Sequence, residues 1–232
     1  MAKFVLVSGS TSRESVNAAV LATVSHLLAD LPGTHEAELL PIAELPFYET
    51  ALERAGGSAA VRQAKKVVAG ADVLFISTPS YNGEMPGALK NALDWLSRAG
   101  CGASPLSGKV TAVTSASPGA RGALDAQPGL IGVLGRCGAR VVEHEPVAVG
   151  GTGGLALEDG RFTDPELVAR LRSLALAALA EFAELDAVDA VDAVDAVDAV
   201  DAVDAVDAVD AVDAVDAVDA VGAVGARVEA LV

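Results

Sequence analysis

Two short apolar runs limit what this chain can fold into more than any other feature. Residues 3–8 (K-F-V-L-V-S) and 72–77 (D-V-L-F-I-S) are almost continuously apolar, and Gly9 and Pro79 close them. A strand with one wet face alternates polar and apolar residues. A run without alternation is buried on both faces, as happens where helices cover both sides of a parallel sheet. Segments of helical period lie between such runs. Residues 15–29 place Val16, Ala19, Val20, Val24, Leu27 and Leu28 at helical spacing, and 87–98 (G-A-L-K-N-A-L-D-W-L-S-R) is amphipathic. Further strands are expected at 36–40, 109–115 and 140–143, with helices at 58–70 and 129–138. Asp164 is expected to cap a last helix, with Pro165 in its first position and Leu167, Leu171, Leu174, Leu179 and Phe182 on its faces. Five strands alternating with helices imply an α/β doubly wound, five-stranded parallel sheet with helices on both faces and right-handed crossovers.

In such a sheet ligands gather at the carboxyl ends of the strands, beside the switch in strand order. Three loops occupy that edge. The first, residues 8–17 (S-G-S-T-S-R-E-S-V-N), joins a buried strand to a helix. A helix N-terminus offers free amides and about half a positive charge, which suits a phosphate. Hydroxyls of Ser10, Thr11, Ser12 and Ser15 can donate to it, and Arg13 can neutralise a dianion. Neither G-x-x-x-x-G-K-[ST] nor G-x-G-x-x-G occurs here, which excludes a nucleotide-triphosphatase loop and a dinucleotide fingerprint. A hydrophilic turn capped by Ser15 is the plainer alternative. The second loop, 78–87 (T-P-S-Y-N-G-E-M-P-G), is stiffened by two prolines, and Gly83 and Gly87 allow close backbone approach to a ligand. Tyr81, one of two tyrosines, could lie against a planar cofactor, or be a partly buried aromatic in a rigid connection. The third loop, 115–122, is rich in glycine and serine.

Charge and composition remove other classes. From residue 186 to 221 the chain reads Asp-Ala-Val twelve times. Those repeats hold twelve of the 32 acidic residues; without them the formal charge of −16 becomes −4, which argues against nucleic acid as a partner. Period three sustains neither a helical stripe nor a buried strand face, so a tail, 186–232, is expected to be disordered or transiently helical, outside a working domain of 1–185. No uncharged apolar stretch reaches 18 residues, so no membrane partner is expected. Cys101 and Cys137 form no C-x-x-C pair and read as reduced thiols, and the first strand leaves no room for a signal peptide, so the expected setting is cytoplasmic. His26, His35 and His144 have no metal-ligand spacing and read as packing or surface residues; no metal is expected.

The stretch 79–98, P-S-Y-N-G-E-M-P-G-A-L-K-N-A-L-D-W-L-S-R, resembles the signature P-E-Y-N-x-x-x-P-G-x-L-K-N-A-[IL]-D-W of the NADPH-dependent FMN reductase family. The first loop is similar to that family's G-S-x-R-x-x-S-x-N phosphate loop, with the arginine one place late. Residues 40–50 (L-P-I-A-E-L-P-F-Y-E-T) resemble its L-P-x-x-D-L-P-x-Y. The resemblance implies a flavodoxin-like sheet of order 2-1-3-4-5 holding FMN at the interface of a homodimer or homotetramer. It implies that Ser10, Arg13, Ser15 and Asn17 hold the phosphate, beside Thr11 and Ser12, which are candidates through their hydroxyls alone. Pro79, Tyr81 and Asn82 would line the isoalloxazine, and Ser115, Ser117 and Gly119 would close its other side; Ser80 and Gly83, in the same loop, are further cofactor-binding candidates. Ser80 departs from the family's glutamate, which bears on the choice of acceptor.

The activity implied is hydride transfer from NADPH or NADH to FMN, and onward to a small-molecule acceptor such as a flavin, quinone, azo compound or metal oxyanion. Such chemistry is centred on the flavin and calls for no catalytic side chain. One alternative is a flavodoxin-type electron carrier, although the T-x-T-G-x-T loop of such carriers is absent and only eight residues are aromatic. Another is a flavin-free binding protein whose working part is the acidic tail.

Overall fold

The computed structural model describes residues 1–12, 14–99 and 104–188. Arg13, Cys101 and residues 189–232, most of the repeat tail, lie outside the described residues. The chain divides into a unit Met1–Ala183 and a second, Glu184–Val232, of which residues 184–188 are described and helical.

In the first unit β1 (Ala2–Ser8) is followed by α1 (Val16–Leu28), β2 (His35–Leu39), α2 (Thr50–Arg54), α3 (Ala59–Ala69), β3 (Val73–Thr78), α4 (Gly87–Leu96) and β4 (Val110–Ala116). Then come a 3-10 turn at Leu124–Ala126, α5 (Gln127–Arg136), β5 (Arg140–Val141), β6 (Val147–Val149) and a hairpin of β7 (Leu157–Glu158) and β8 (Arg161–Phe162). The closing helix, α6, starts at residue 165 and is helical to 183. The main sheet is parallel, in the order β2-β1-β3-β4-β5, with β6 also paired to β4. The expected order thus holds.

Alternation along the buried strands divides the core in two. Val5, Val7, Leu74 and Ile76 point to the face covered by α3, α4 and α5, where they meet Val61, Val68, Leu89, Leu93, Trp95 and Leu130. Phe4, Leu6, Val73 and Phe75 take the other parity and are fully or almost fully buried on the opposite face. Caps set the helix starts as the residues dictate. Ser15 accepts from the Asn17 amide, Ser58 from the Val61 amide at 3.2 Å, and Asp164 from the Leu167 amide at 2.9 Å.

Three details differ from the expected layout. The fifth position of the sheet is filled by two short pieces, β5 and β6, rather than by one strand over 140–143. Pairing lapses in the stretch before β6, which ends at Pro146, a residue with no amide to donate to the ladder. Helix α5 begins at Gln127 rather than near Gly129, because Pro128 suits a first turn that needs no donor. The short α2 and the β7–β8 hairpin carry too few periodic residues to stand out in the sequence.

Candidate functional site

The parallel strands β1, β3 and β4 all end at the same edge, so the three loops that leave them are neighbours. Loop 8–17 touches loop 78–87 directly. The Gly9 amide donates to the Ser77 carbonyl at 2.8 Å, and a Cβ on Gly9 would sit 3.1 Å from Leu89 Cδ2 and 3.2 Å from Pro79 Cδ. A larger residue there would pry the two loops apart.

Asn17 joins the same loops from beneath. It is 1% exposed; its Nδ2 donates to the Ala116 carbonyl at 3.1 Å, and its Oδ1 accepts from Ser77 Oγ at 2.8 Å. One side chain therefore ties the start of α1 to the ends of β3 and β4. Above it, the Ser8 hydroxyl donates to the Ser10 carbonyl at 2.9 Å and accepts from the Ser10 amide at 3.2 Å. Ser10 Oγ accepts from the Ser12 amide at 3.3 Å, which rounds the loop into a turn. Thr11 and Ser12 are exposed, Ser10 and Ser15 half-buried. As acceptors, the hydroxyls of Ser10 and Ser15 keep their protons free to donate to an anion.

Loop 78–87 is a rigid hook. Tyr81 and Glu84 exchange backbone hydrogen bonds of 2.8 and 3.2 Å around Asn82 (φ 56°) and Gly83 (φ 87°). Two successive positive φ values make a type I′ turn, for which Asn-Gly is the favoured pair. The turn lifts Tyr81 to 57% exposure, while Pro79 is buried and Ser80 half-buried. The Glu84 carboxylate reaches across to the first turn of α5, where a Cβ on Gly129 would strike it. From this hook a cleft of about 540 Å³ runs between α4 and α5, lined by Met85, Lys90, Val133 and Arg136 among others.

Loop 115–122 is held from inside. Ser115 is fully buried and donates to the Gly122 carbonyl at 2.7 Å, so its hydroxyl supports the loop instead of facing a ligand. Ser117 is half-buried and Gly119 exposed. The Ser117 amide donates to the Val149 carbonyl at 3.1 Å and the Gly151 amide to the Gly119 carbonyl at 3.2 Å, so the end of β6 backs this loop. The sequence did not single out Gln127, whose amide enters the same network; a lone glutamine beside a proline carries no motif.

The other candidates fall elsewhere. Trp95 is 1% exposed, donates to the Pro46 carbonyl at 2.8 Å and meets Tyr48 edge-on, so it is a packing residue within the chain. His26 is exposed, His35 bonds the Pro32 carbonyl, and His144 bridges the Glu145 carbonyl and Ser173. Among the described residues no cluster of His, Cys, Asp or Glu could hold a metal, and no helix is long and apolar enough to cross a membrane.

This geometry defines a class: a flavodoxin-like α/β protein with a hydroxyl-rich loop before a helix N-terminus and an aromatic hook beside it. The particular family follows from comparison. The model of the family NADPH-dependent FMN reductase matches residues 2–153, a span that includes all three loops. A 2-hydroxy-1,4-benzoquinone reductase from a Burkholderia species is 36% identical over 167 residues, spanning 68% of this chain and 88% of the relative. An NAD(P)H-dependent FMN reductase of Pseudomonas aeruginosa is 37% identical over 121 residues, 52% of this chain and 63% of the relative. Among solved structures, FerB, the flavoenzyme NAD(P)H:(acceptor) oxidoreductase from Paracoccus denitrificans, superposes with a TM-score of 0.70 at 29% identity, covering 79% of this chain and 98% of that one. The chain belongs to the NADPH-dependent FMN reductase family and is an oxidoreductase of flavodoxin-like fold.

Proposed function

We propose that this chain binds FMN at the three-loop edge and uses NADPH or NADH to reduce a quinone through it. The observation that carries this reading is the type I′ hook, which exposes Tyr81 and Asn82 on the loop whose Pro79 lies against Gly9 of the hydroxyl loop. The donor set fits FMN. Ser10, Thr11, Ser12 and Ser15, with the amides at the start of α1, offer hydroxyl and N–H donors to a phosphate, and Arg13 adds charge in the reading from sequence. Asn17 takes the supporting part there, since its amide is committed to Ser77 and Ala116.

Pro79, Ser80, Tyr81, Asn82 and Gly83 would form one wall of the ring pocket. Ser117 and Gly119 would form the other, with Ser115 holding that wall in place. FMN, when bound, supplies the acceptor and donor of hydride. The residues present would hold and orient it for hydride transfer from a nicotinamide and onward to an acceptor. A quinone is the favoured acceptor because the Burkholderia relative is a benzoquinone reductase similar over 88% of its length.

Oligomers in which two copies meet beside the ring pocket complete the proposal, as homodimer or homotetramer. The cleft between α4 and α5 and the exposed Phe47 and Ile131 support a partner surface there. A cytoplasmic setting accords with the unpaired thiol of Cys137. The test is steady-state oxidation of NADPH and NADH by the FMN-loaded full chain, with and without 1,4-benzoquinone. Quinone-dependent oxidation of either is expected; oxidation with neither would remove the reductase reading.

A further inference from the structure

The side chain of Gln127 is 3% exposed, and both hydrogens of its amide are engaged. Nε2 donates to Ser115 Oγ at 2.8 Å and to the Val147 carbonyl at 3.0 Å. Chemistry fixes this orientation: flipping the amide would set Oε1 against a carbonyl that can only accept. The Ser115 hydroxyl accepts from Gln127 and donates its own hydrogen bond to the Gly122 carbonyl at 2.7 Å. Gly122, at φ 58°, has no slack, since a Cβ there would lie 2.6 Å from the Val149 backbone. The second branch, through Val147, anchors the start of β6, whose far end receives the Ser117 amide and backs Gly119. One amide thus holds loop 115–122 at both of its supports.

We infer that Gln127 is a positioning residue that sets how tightly the flavin ring, as opposed to its phosphate, is held. The inference rests on the FMN reading above and assigns loop 115–122 to the ring. Loop 8–17 is tied by Asn17 to the Ser77 hydroxyl and to the Ala116 carbonyl at the end of β4, and Gln127 bonds to neither, so its loss removes no hydrogen bond from the phosphate side. Gln127→Met keeps the length and volume of the side chain and removes both hydrogen bonds. Val147 retains a donor in Thr114 Oγ1 at 2.7 Å, so the strand start is not left without a partner.

The experiment titrates FMN and riboflavin separately into the full-length chain and follows flavin fluorescence. It compares wild type, Gln127→Met and Ser12→Ala, with folding checked by circular dichroism. Gln127→Met is expected to raise Kd about tenfold for both ligands. The ratio of the two Kd values should stay within about twofold of the wild-type ratio, as for independent sites. Ser12→Ala should weaken FMN alone. If Gln127→Met does not fold, Ser115→Ala cuts the same chain to Gly122 and should give the same ring-selective loss. Wild-type affinity for both ligands in Gln127→Met and Ser115→Ala, or a loss confined to FMN in either, would overturn the inference while leaving the FMN assignment intact. A wild type that binds neither flavin would overturn both.

Discussion

At the scale of single residues, the edge that would bind FMN is held by groups that do not face a ligand. Asn17 and Gln127 lie under the loops and spend their amides on carbonyls and hydroxyls of three strand ends. Buried polar groups of this kind are costly to leave half-paired. Asn17→Ala strands the Ser77 hydroxyl and the Ala116 carbonyl, so it is expected to lower stability by about 2 kcal/mol, measured by urea denaturation. Backbone clearance acts at the same scale. A Cβ on Gly150 would strike the Ala120 carbonyl oxygen, and that atom belongs to a loop that cannot retreat from β6. Gly150→Ala should therefore cost about 2 kcal/mol and weaken FMN binding together, read by denaturation and by fluorescence titration. Little of this was legible in the sequence. Asn17 could be read as a phosphate ligand because its type and place suit one; only its burial assigns the side chain to the scaffold. Gln127 had no pattern to mark it.

At the scale of elements, period and caps were enough to place β1, β3, α1, α4 and the start of α6. Runs of apolar residues and short polar caps are local signals, and the tertiary structure agrees with them. The fifth sheet position was harder, because its pieces are two and three residues long and β6 is recognisable only through its pairing with β4. The hook at 81–84 was legible in part: Asn-Gly announces a tight turn, but its exposure of Tyr81 follows from packing on α4 and α5. Capping offers a direct test. Ser58→Ala removes the acceptor of the Val61 amide and should destabilise the unit by about 1 kcal/mol, without effect on FMN affinity.

Lys109, just before β4, offers another. Burial lowers its pKa from the ordinary 10.5, against an opposing pull from Asp72. The folded chain therefore binds fewer protons here than the unfolded one just below 10.5, so this group's contribution to stability rises as pH climbs through that window. Lys109→Met should lack that rise in urea midpoints taken across alkaline pH.

At the scale of the whole molecule, the family match stops at residue 153, while the compact unit continues to Ala183: the Phe162 amide of β8 donates to Thr23 Oγ1 of α1 at 2.9 Å, and α6 follows. Leu167, Leu171 and Leu174 of α6 are buried, and Arg140 pairs with Glu181 at 2.8 Å. The working domain is proposed to end near Leu185, with the Asp-Ala-Val repeats serving as an appended acidic tail. Truncation after Leu185 is then expected to leave FMN affinity and the melting temperature unchanged; loss of either would make the repeats part of the enzyme.

The proposed route takes reducing equivalents from a nicotinamide to FMN held at the three-loop edge. Anaerobic titration of the FMN-loaded chain with NADPH and with NADH, followed at the visible flavin band, tests it directly. At least one donor is expected to bleach the band, and added benzoquinone to restore it. A band that neither donor bleaches would contradict this route.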